Sequence, residues 1–112
     1  MATSYKVLGQ AATATIGAST EGTLYTAGGT SAIISTLAIC NQASTPATYR
    51  IAIRPAGQSS TTAAMWIVYG ATVAGSDSTF LTSGITLAVG DKIQVYASSN
   101  TVSFTAFGSE LS

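Results

Sequence analysis

The stretch SAIISTLAICNQ, from Ser31 to Gln42, decides the fold class, because it is apolar, uncharged and free of glycine and proline. Successive side chains of a strand point to opposite faces. One face would carry Ile33, Ser35, Leu37 and Ile39, and the other Ile34, Thr36, Ala38 and Cys40. Both faces are largely apolar, which predicts a central strand that is covered on both sides.

The next stretch, ATYRIAIRP from residue 47 to 55, alternates more sharply between apolar and polar positions. The alternation places Tyr49, Ile51 and Ile53 on one face, opposite Arg50, Ala52 and Arg54. Pro55 ends this strand, because proline has no N–H to donate to a neighbouring strand. The polar connector before it, QASTPAT, suits a hairpin or a loop between two sheets.

Other strand-like runs occupy much of the chain: SYKVLGQ (4–10), TLYTA (23–27), AMWIVYG (64–70), STFLTS (78–83), KIQVYASS (92–99) and TVSFTAFG (101–108). The run around Phe80 is short and predicts an edge strand. Alternation in the last two runs places apolar side chains inward, and these are Ile93, Val95, Ala97, Val102, Phe104 and Ala106. Gln94 and Tyr96 then face outward, and the SSN turn predicts that the last two strands form an antiparallel hairpin.

These runs give seven to nine strands, and no segment shows the apolar spacing of a helix. The sequence therefore predicts a single all-β domain over residues 1–112, an antiparallel sandwich of the jelly-roll or immunoglobulin-like kind. The segment AATATIGASTEG forms either a strand or an ordered loop, and residues 1–20 are a candidate arm on a neighbouring subunit. Composition makes PAGQSSTTAA the most flexible segment.

The chain is poor in charged residues, which indicates the kinds of partner it can bind. Charged residues make up 7% of the chain, against roughly 25% in typical soluble domains. Four basic and four acidic residues cancel, so no basic field favours nucleic acid, and weak repulsion favours assembly. The N-terminus lacks a secretory signal, and no run approaches the ~20 apolar residues of a membrane helix, so neither export by that route nor a membrane partner is expected.

Residues for catalysis are scarce, because the chain has no histidine and its acids, Glu21, Asp77, Asp91 and Glu110, are far apart in sequence. There is no G-x-S-x-G elbow, and the GGTSA stretch reads as a turn. We therefore expect no enzyme and no catalytic, cofactor or metal site. Cys40 is the only cysteine in the sequence, so an intrachain disulfide is excluded. It is expected to be a small buried residue.

Three further features of the sequence are candidates for binding or chemistry. Asp91 and Lys92 lie between an apolar run and a strand, and Gly90 with Asp91 supplies turn chemistry, so a corner of the fold is expected there. Arg50 and Arg54 share a strand face, which favours a polar outward face or a subunit contact over a site for a carboxylate or phosphate. Trp66 is expected in the core or an interface; sugar binding, with Tyr69, is the alternative.

Three quoted segments together resemble a known group of proteins: MATSYKVLGQ at the start, LYTAGGTSAIISTLAICNQASTPATYRIAIRPAG in the middle, and GITLAVGDKIQVYASSNTVSFTAFGSEL at the end. In this order, and in a chain of this length, they resemble short structural proteins of tailed-phage virions, common among cyanophages and other marine phages. The resemblance runs from end to end, although each part by itself is only a strand pattern.

The resemblance implies a non-enzymatic virion component. A compact module with little charge fits a capsid decoration or cement protein on the outer surface of the particle, made in the host cytoplasm and often trimeric. Its expected partners are the major capsid protein or other virion proteins, and further copies of itself as a homo-oligomer. A neck, tail or fibre-attachment protein is the alternative within the particle, and a carbohydrate-binding adhesion module is the alternative of a different class.

Overall fold

The computed structural model describes residues 3–111, which form eight strands. Their bounds are β1 (Thr3–Ala12), β2 (Gly22–Thr26), β3 (Ser31–Asn41), β4 (Ala47–Arg54), β5 (Trp66–Val73), β6 (Asp77–Ala88), β7 (Lys92–Ala97) and β8 (Val102–Leu111). Helix in this part of the chain is limited to α1 (Thr13–Ile16) and a 3-10 turn (Ala63–Met65). The predicted all-β class, with seven to nine strands, is confirmed.

The strands form two four-stranded antiparallel sheets that pack as a sandwich. Sheet A has the order β1-β8-β3-β6, and sheet B has the order β2-β7-β4-β5. Every connection crosses from one sheet to the other except that between β4 and β5, which pair directly. This order is that of a jelly roll, and it decides between the two kinds of sandwich that the sequence allowed.

The core lies between the sheets and is built from the alternating apolar positions. The six positions predicted to face inward in the last two runs are all buried. The rings of Tyr49 and Phe104 meet edge to face across the core, with centroids 6.4 Å apart. Each large apolar side chain that is fully buried contributes roughly 1.5–3 kcal/mol by leaving water. In β7 and β8, alternation alone identifies the buried apolar positions.

In β3, the predicted division of side chains between two faces is wrong beyond Ile34. A β-bulge between Ile34 and Thr36 interrupts pairing with both neighbouring strands, and an extra residue in a strand reverses the alternation after it. Ile34, Leu37 and Ile39 are buried together, whereas Ile33 is 49% exposed. β3 is central in sheet A, as predicted, but only its inner face is covered.

The predicted hairpin of the last two strands is also wrong. β7 belongs to sheet B and β8 to sheet A, so the SSN turn carries the chain across the end of the sandwich. The turn is held by backbone bonds to β4 and to the segment after β3, since Ser98 N–H donates to the carbonyl of Thr48 and Gln42 N–H donates to the carbonyl of Thr101. A polar turn between two alternating runs is therefore compatible with a change of sheet.

The run around Phe80 is an edge strand, as predicted, but it is longer than expected. β6 continues from Asp77 through Gly84, whose φ of 65° lies in the left-handed region, and on to Ala88. Glycine adopts that conformation without a Cβ penalty. The apolar run ITLA and the run STFLTS are thus two parts of one strand.

Residues 3–12, which belong to the candidate arm, form β1 and pair with β8 of the same chain. The segment after β1 is the single turn α1, and it is fixed by the buried hydroxyl of Thr13. That hydroxyl donates to the carbonyl of Val102 at 2.9 Å and accepts from the N–H of Val102 at 3.0 Å. The structure therefore places most of the first 20 residues within the chain's own sandwich.

Candidate binding surfaces

The outer face of sheet A carries exposed apolar side chains and is named here the sheet A face. Its large members, with their exposed fractions, are Tyr5 (84%), Val7 (49%), Ile33 (49%), Phe80 (65%) and Phe107 (37%). Strand pairing places Val7 beside Phe107 and Ser109 beside both Tyr5 and Ile33. A shallow groove of about 440 Å³ runs among Tyr5, Val7, Ile33 and Phe107.

The sheet A face is uncharged apart from its border. The charged residues within the strands of sheet A are Lys6, Asp77 and Glu110. Lys6 borders the groove, but its ammonium lies 3.3 Å from the Glu110 carboxylate, and Asp77 is the first residue of β6. Apolar exposure without charge is typical of surfaces that are covered by another protein, because covering them leaves no buried unpaired charge.

The outer face of sheet B carries a different feature, an arginine among aromatic rings, named here the Arg50 cluster. The guanidinium carbon of Arg50 lies 4.1 Å from the ring centroid of Tyr69, 4.3 Å from that of Tyr96 and 5.9 Å from that of Trp66. The rings of Trp66 and Tyr69 are also in contact, edge to face, at 5.6 Å. These distances are those of cation–π contacts.

Register explains how the Arg50 cluster forms. Arg50 of β4 is opposite Tyr96 of β7 on one side and Tyr69 of β5 on the other. The β4–β5 register shifts between Ile51 and Ala52, so that Trp66 pairs with Ala52 and lies close to the same arginine. The sequence points to Arg50, and to Trp66 with Tyr69, but it does not join them and does not point to Tyr96. The predicted outward direction of Tyr96 was the available signal, but strand order, which pairs β4 with β7, cannot be read from a local pattern.

Arg54 shares the outer face with Arg50, as the alternation predicts, but it has different partners. Its guanidinium lies 2.5 Å from the Glu21 carboxylate and donates to the Thr61 hydroxyl at 2.9 Å. Thr61 in turn donates to Glu21 at 2.6 Å. This network anchors the segment that composition marked as the most flexible, and it occupies Arg54 in holding the fold.

Gln94, predicted to face outward, is 3% exposed. It lies on the outer side of sheet B, paired with Thr23 and Ala52, and its amide contacts the Thr23 hydroxyl at 2.9 Å. The direction of the side chain was therefore predicted correctly, whereas its burial was not, because alternation does not show what covers an outer face.

Asp91 forms the corner that the sequence predicted. Its carboxylate accepts from the backbone N–H of Ala88 at 3.0 Å and from that of Ala56 at 2.9 Å. Gly90 before it has a φ of 89°, and its N–H donates to Ala27. Asp91 thus ties the turn before β7 to the segment after β4.

The other acids are held at separate places. Asp77 accepts from the N–H of Ser78 at 2.8 Å, and Glu110 accepts from the hydroxyl of Tyr25. Burial, and then the bond to Glu110, raise the pKa of Tyr25 to about 12. The bonds from Tyr25 and Lys6 lower the pKa of Glu110. Over residues 3–111, no three acidic or cysteine side chains come together as a metal site would require.

Two expectations about single residues need correction. Cys40 is half-buried rather than buried, because it lies beyond the bulge on the outer side of β3. Trp66 is also half-buried and lies in the Arg50 cluster on the outer face of sheet B rather than in the core. The interface alternative for Trp66 stays a prediction.

No protein-family model matches the chain, and no curated protein matches its sequence. Within the described part of the chain, no helix has the length and apolar character needed to cross a membrane.

Proposed function

We propose that the protein is a non-enzymatic structural component of a tailed-phage particle, and specifically a capsid decoration or cement protein that binds the head exterior. The observation that carries this proposal is the sheet A face, where apolar side chains of three neighbouring strands stand exposed and the one charged side chain at the groove, Lys6, is paired with Glu110. The sequence resemblance supplies the class of partner, which is the major capsid protein or another protein of the particle.

The chemistry of the sheet A face suits lattice binding. Its exposed groups are aromatic and aliphatic side chains separated by small hydroxyl residues such as Ser35 and Thr105. Covering such a surface is favourable because apolar side chains leave water, and the desolvation cost is small because the charged residue at the groove, Lys6, keeps Glu110 as its partner. Many copies on one shell then combine weak single contacts into firm attachment.

A second contact between copies of the chain completes the proposal. The low charge of the chain opposes self-association only weakly, and the resemblance favours a trimer. Light scattering after size exclusion at micromolar concentration measures this directly. A trimer supports preassembly, and a monomer would mean that the lattice itself supplies the association.

Reconstitution onto particles that lack the protein tests the docking face. Ile33→Ser places a hydroxyl on the sheet A face, and Ile67→Ser makes the same change at a site of equal exposure (51% against 49%) on β5 of sheet B. We expect Ile33→Ser to reduce the number of bound copies and Ile67→Ser to leave it unchanged. Equal binding by both variants would exclude the sheet A face as the docking surface.

Particles without the protein test the location. A decoration protein stabilises the shell, so its removal should lower the temperature or raise the salt concentration at which heads release their contents. Intact heads with lost tails or lost adsorption would place the protein in the neck, tail or fibre attachment instead.

A further inference from the structure

Arg50 is a cation whose neighbours in the described part of the chain are aromatic rings rather than an anion. Among residues 3–111, no hydrogen bond or ion pair joins its guanidinium to another side chain, whereas Arg54 on the same strand is paired with Glu21. The contacts of Arg50 are the rings of Tyr69, Tyr96 and Trp66. Aromatic rings attract the positive charge but accept none of the five N–H donors in the way a carboxylate does.

The donors of the Arg50 cluster remain open to solvent. Arg50 is only half-buried, and no buried side-chain nitrogen or oxygen in the described residues lacks a partner. Because the guanidinium of Arg50 has no hydrogen-bonding partner among these residues, its nitrogen atoms are not buried and stay accessible to solvent. The same reasoning applies to the indole N–H of Trp66 and the hydroxyl of Tyr96, which are also half-buried and have no hydrogen bond within the described chain.

An apolar surface lies next to these donors. Ala63, Trp66 and Tyr69 line a shallow depression of about 470 Å³, and Tyr69 is 63% exposed. Aromatic faces of this kind pack against the C–H groups of flat ligands, while their polar ends remain in water.

We propose that the Arg50 cluster binds a carboxylated sugar, such as a uronic acid residue of an acidic polysaccharide. The carboxylate pairs with the N–H edge of Arg50 in a bidentate manner, and the sugar ring packs on Trp66 and Tyr69. A neutral sugar leaves the arginine without a counter-ion, and a bare inorganic anion leaves the aromatic surface unused. The site lies on sheet B, away from the sheet A face, so it does not depend on the proposed docking function.

Calorimetric titration of the whole protein with a galacturonic acid trimer tests the proposal. The matched ligand is the methyl ester of the same trimer, which keeps the rings and removes the charges. We expect the acid to bind about tenfold more tightly than the ester, the step that one charge-assisted contact supplies. Arg50→Gln should abolish this preference, whereas Trp66→Ala should weaken both ligands.

Lys92→Gln is the control for charge, because Lys92 is on the same strand as Tyr96 and its removal changes the net charge by the same amount. It should leave the tenfold preference unchanged, and a circular dichroism spectrum confirms that each variant is folded. Equal affinity for acid and ester, a preference that survives Arg50→Gln, or no binding of either trimer at millimolar concentration would overturn the proposal.

Discussion

The hydroxyl of Tyr25 in β2 donates a hydrogen bond to the carboxylate of Glu110 in β8, and so joins sheet B to sheet A. Lys6 of β1 lies 3.3 Å from the same carboxylate. Three strands therefore meet at one acidic group, which is kept charged by its partners. The stability of this region is expected to depend on pH at both ends of the scale.

At acid pH the folded protein should become less stable, because Glu110 takes up a proton. The bond from Tyr25, and then Lys6, lower the pKa of Glu110 from its ordinary value of 4.5. The stabilisation is therefore complete above about pH 4.5 and is lost as the pH falls through the lowered pKa. Urea unfolding measures the free energy of unfolding at pH 7 and at pH 3. The loss between the two pH values should be smaller for Glu110→Gln than for the wild type. Asp77→Asn, outside this network, is the control and should lose as much as the wild type.

On the alkaline side, Tyr25 is the sensitive group. Its pKa rises from 10.0 to about 12 in the folded protein, so the unfolded chain releases the phenol proton first and stability falls between these values. Burial also raises the pKa of Tyr49, so Tyr25→Phe should remove part of the loss. Free energies of unfolding at pH 9 and pH 11 measure this loss, and Tyr5→Phe, at an exposed position, is the control. An equal loss in Tyr25→Phe and in the wild type would contradict the role given to Tyr25.

Thr13→Val should destabilise the protein by about 2 kcal/mol, because it removes both hydrogen bonds to the backbone of Val102 without changing the volume of the side chain. The buried N–H and carbonyl of Val102 then lose a partner. Thr15→Val, at an exposed position two residues away, should change the free energy of unfolding by less than about 0.5 kcal/mol. Equal effects of the two substitutions would show that the Thr13 hydroxyl contributes nothing.

Gly108→Ala should be among the most damaging single substitutions in sheet A. A Cβ at Gly108 would overlap the carbonyl oxygen of Ile33 in the adjacent strand, where only the backbone can yield. We expect a loss of about 3 kcal/mol in unfolding free energy, at the upper end for overpacking. At Gly28 the nearest atom to a new Cβ is a Glu110 carboxylate oxygen at 3.7 Å, so Gly28→Ala is the control and should be well tolerated.

The sequence predicts the inward positions of β7 and β8 and the corner at Asp91, because alternation and turn chemistry are local. It fails at β3, where a bulge after Ile34 reverses the alternation, and at the SSN turn, which changes sheets. A bulge and a crossing are set by packing between distant segments, so no local pattern contains them. The half-burial of Cys40 follows from the same bulge.

For the candidate surfaces too, the sequence predicts single residues but not the contacts between strands. The sequence identifies Arg50 and Trp66 as residues of interest, and its low charge favours assembly. The gathering of Arg50 with Tyr69, Tyr96 and Trp66 depends on β4 lying between β7 and β5. Strand order is a property of the whole chain, so this cluster became visible only in the folded structure.

An electron cryomicroscopy map of the purified particle tests the central claim, which is that the sheet A face docks on the phage head. We predict copies on the outer surface of the shell, with Ile33 and Phe107 against a capsid protein and the Arg50 cluster turned toward solvent. Density for the protein only at the neck or tail, or a sheet A face turned away from every neighbour, would contradict the account.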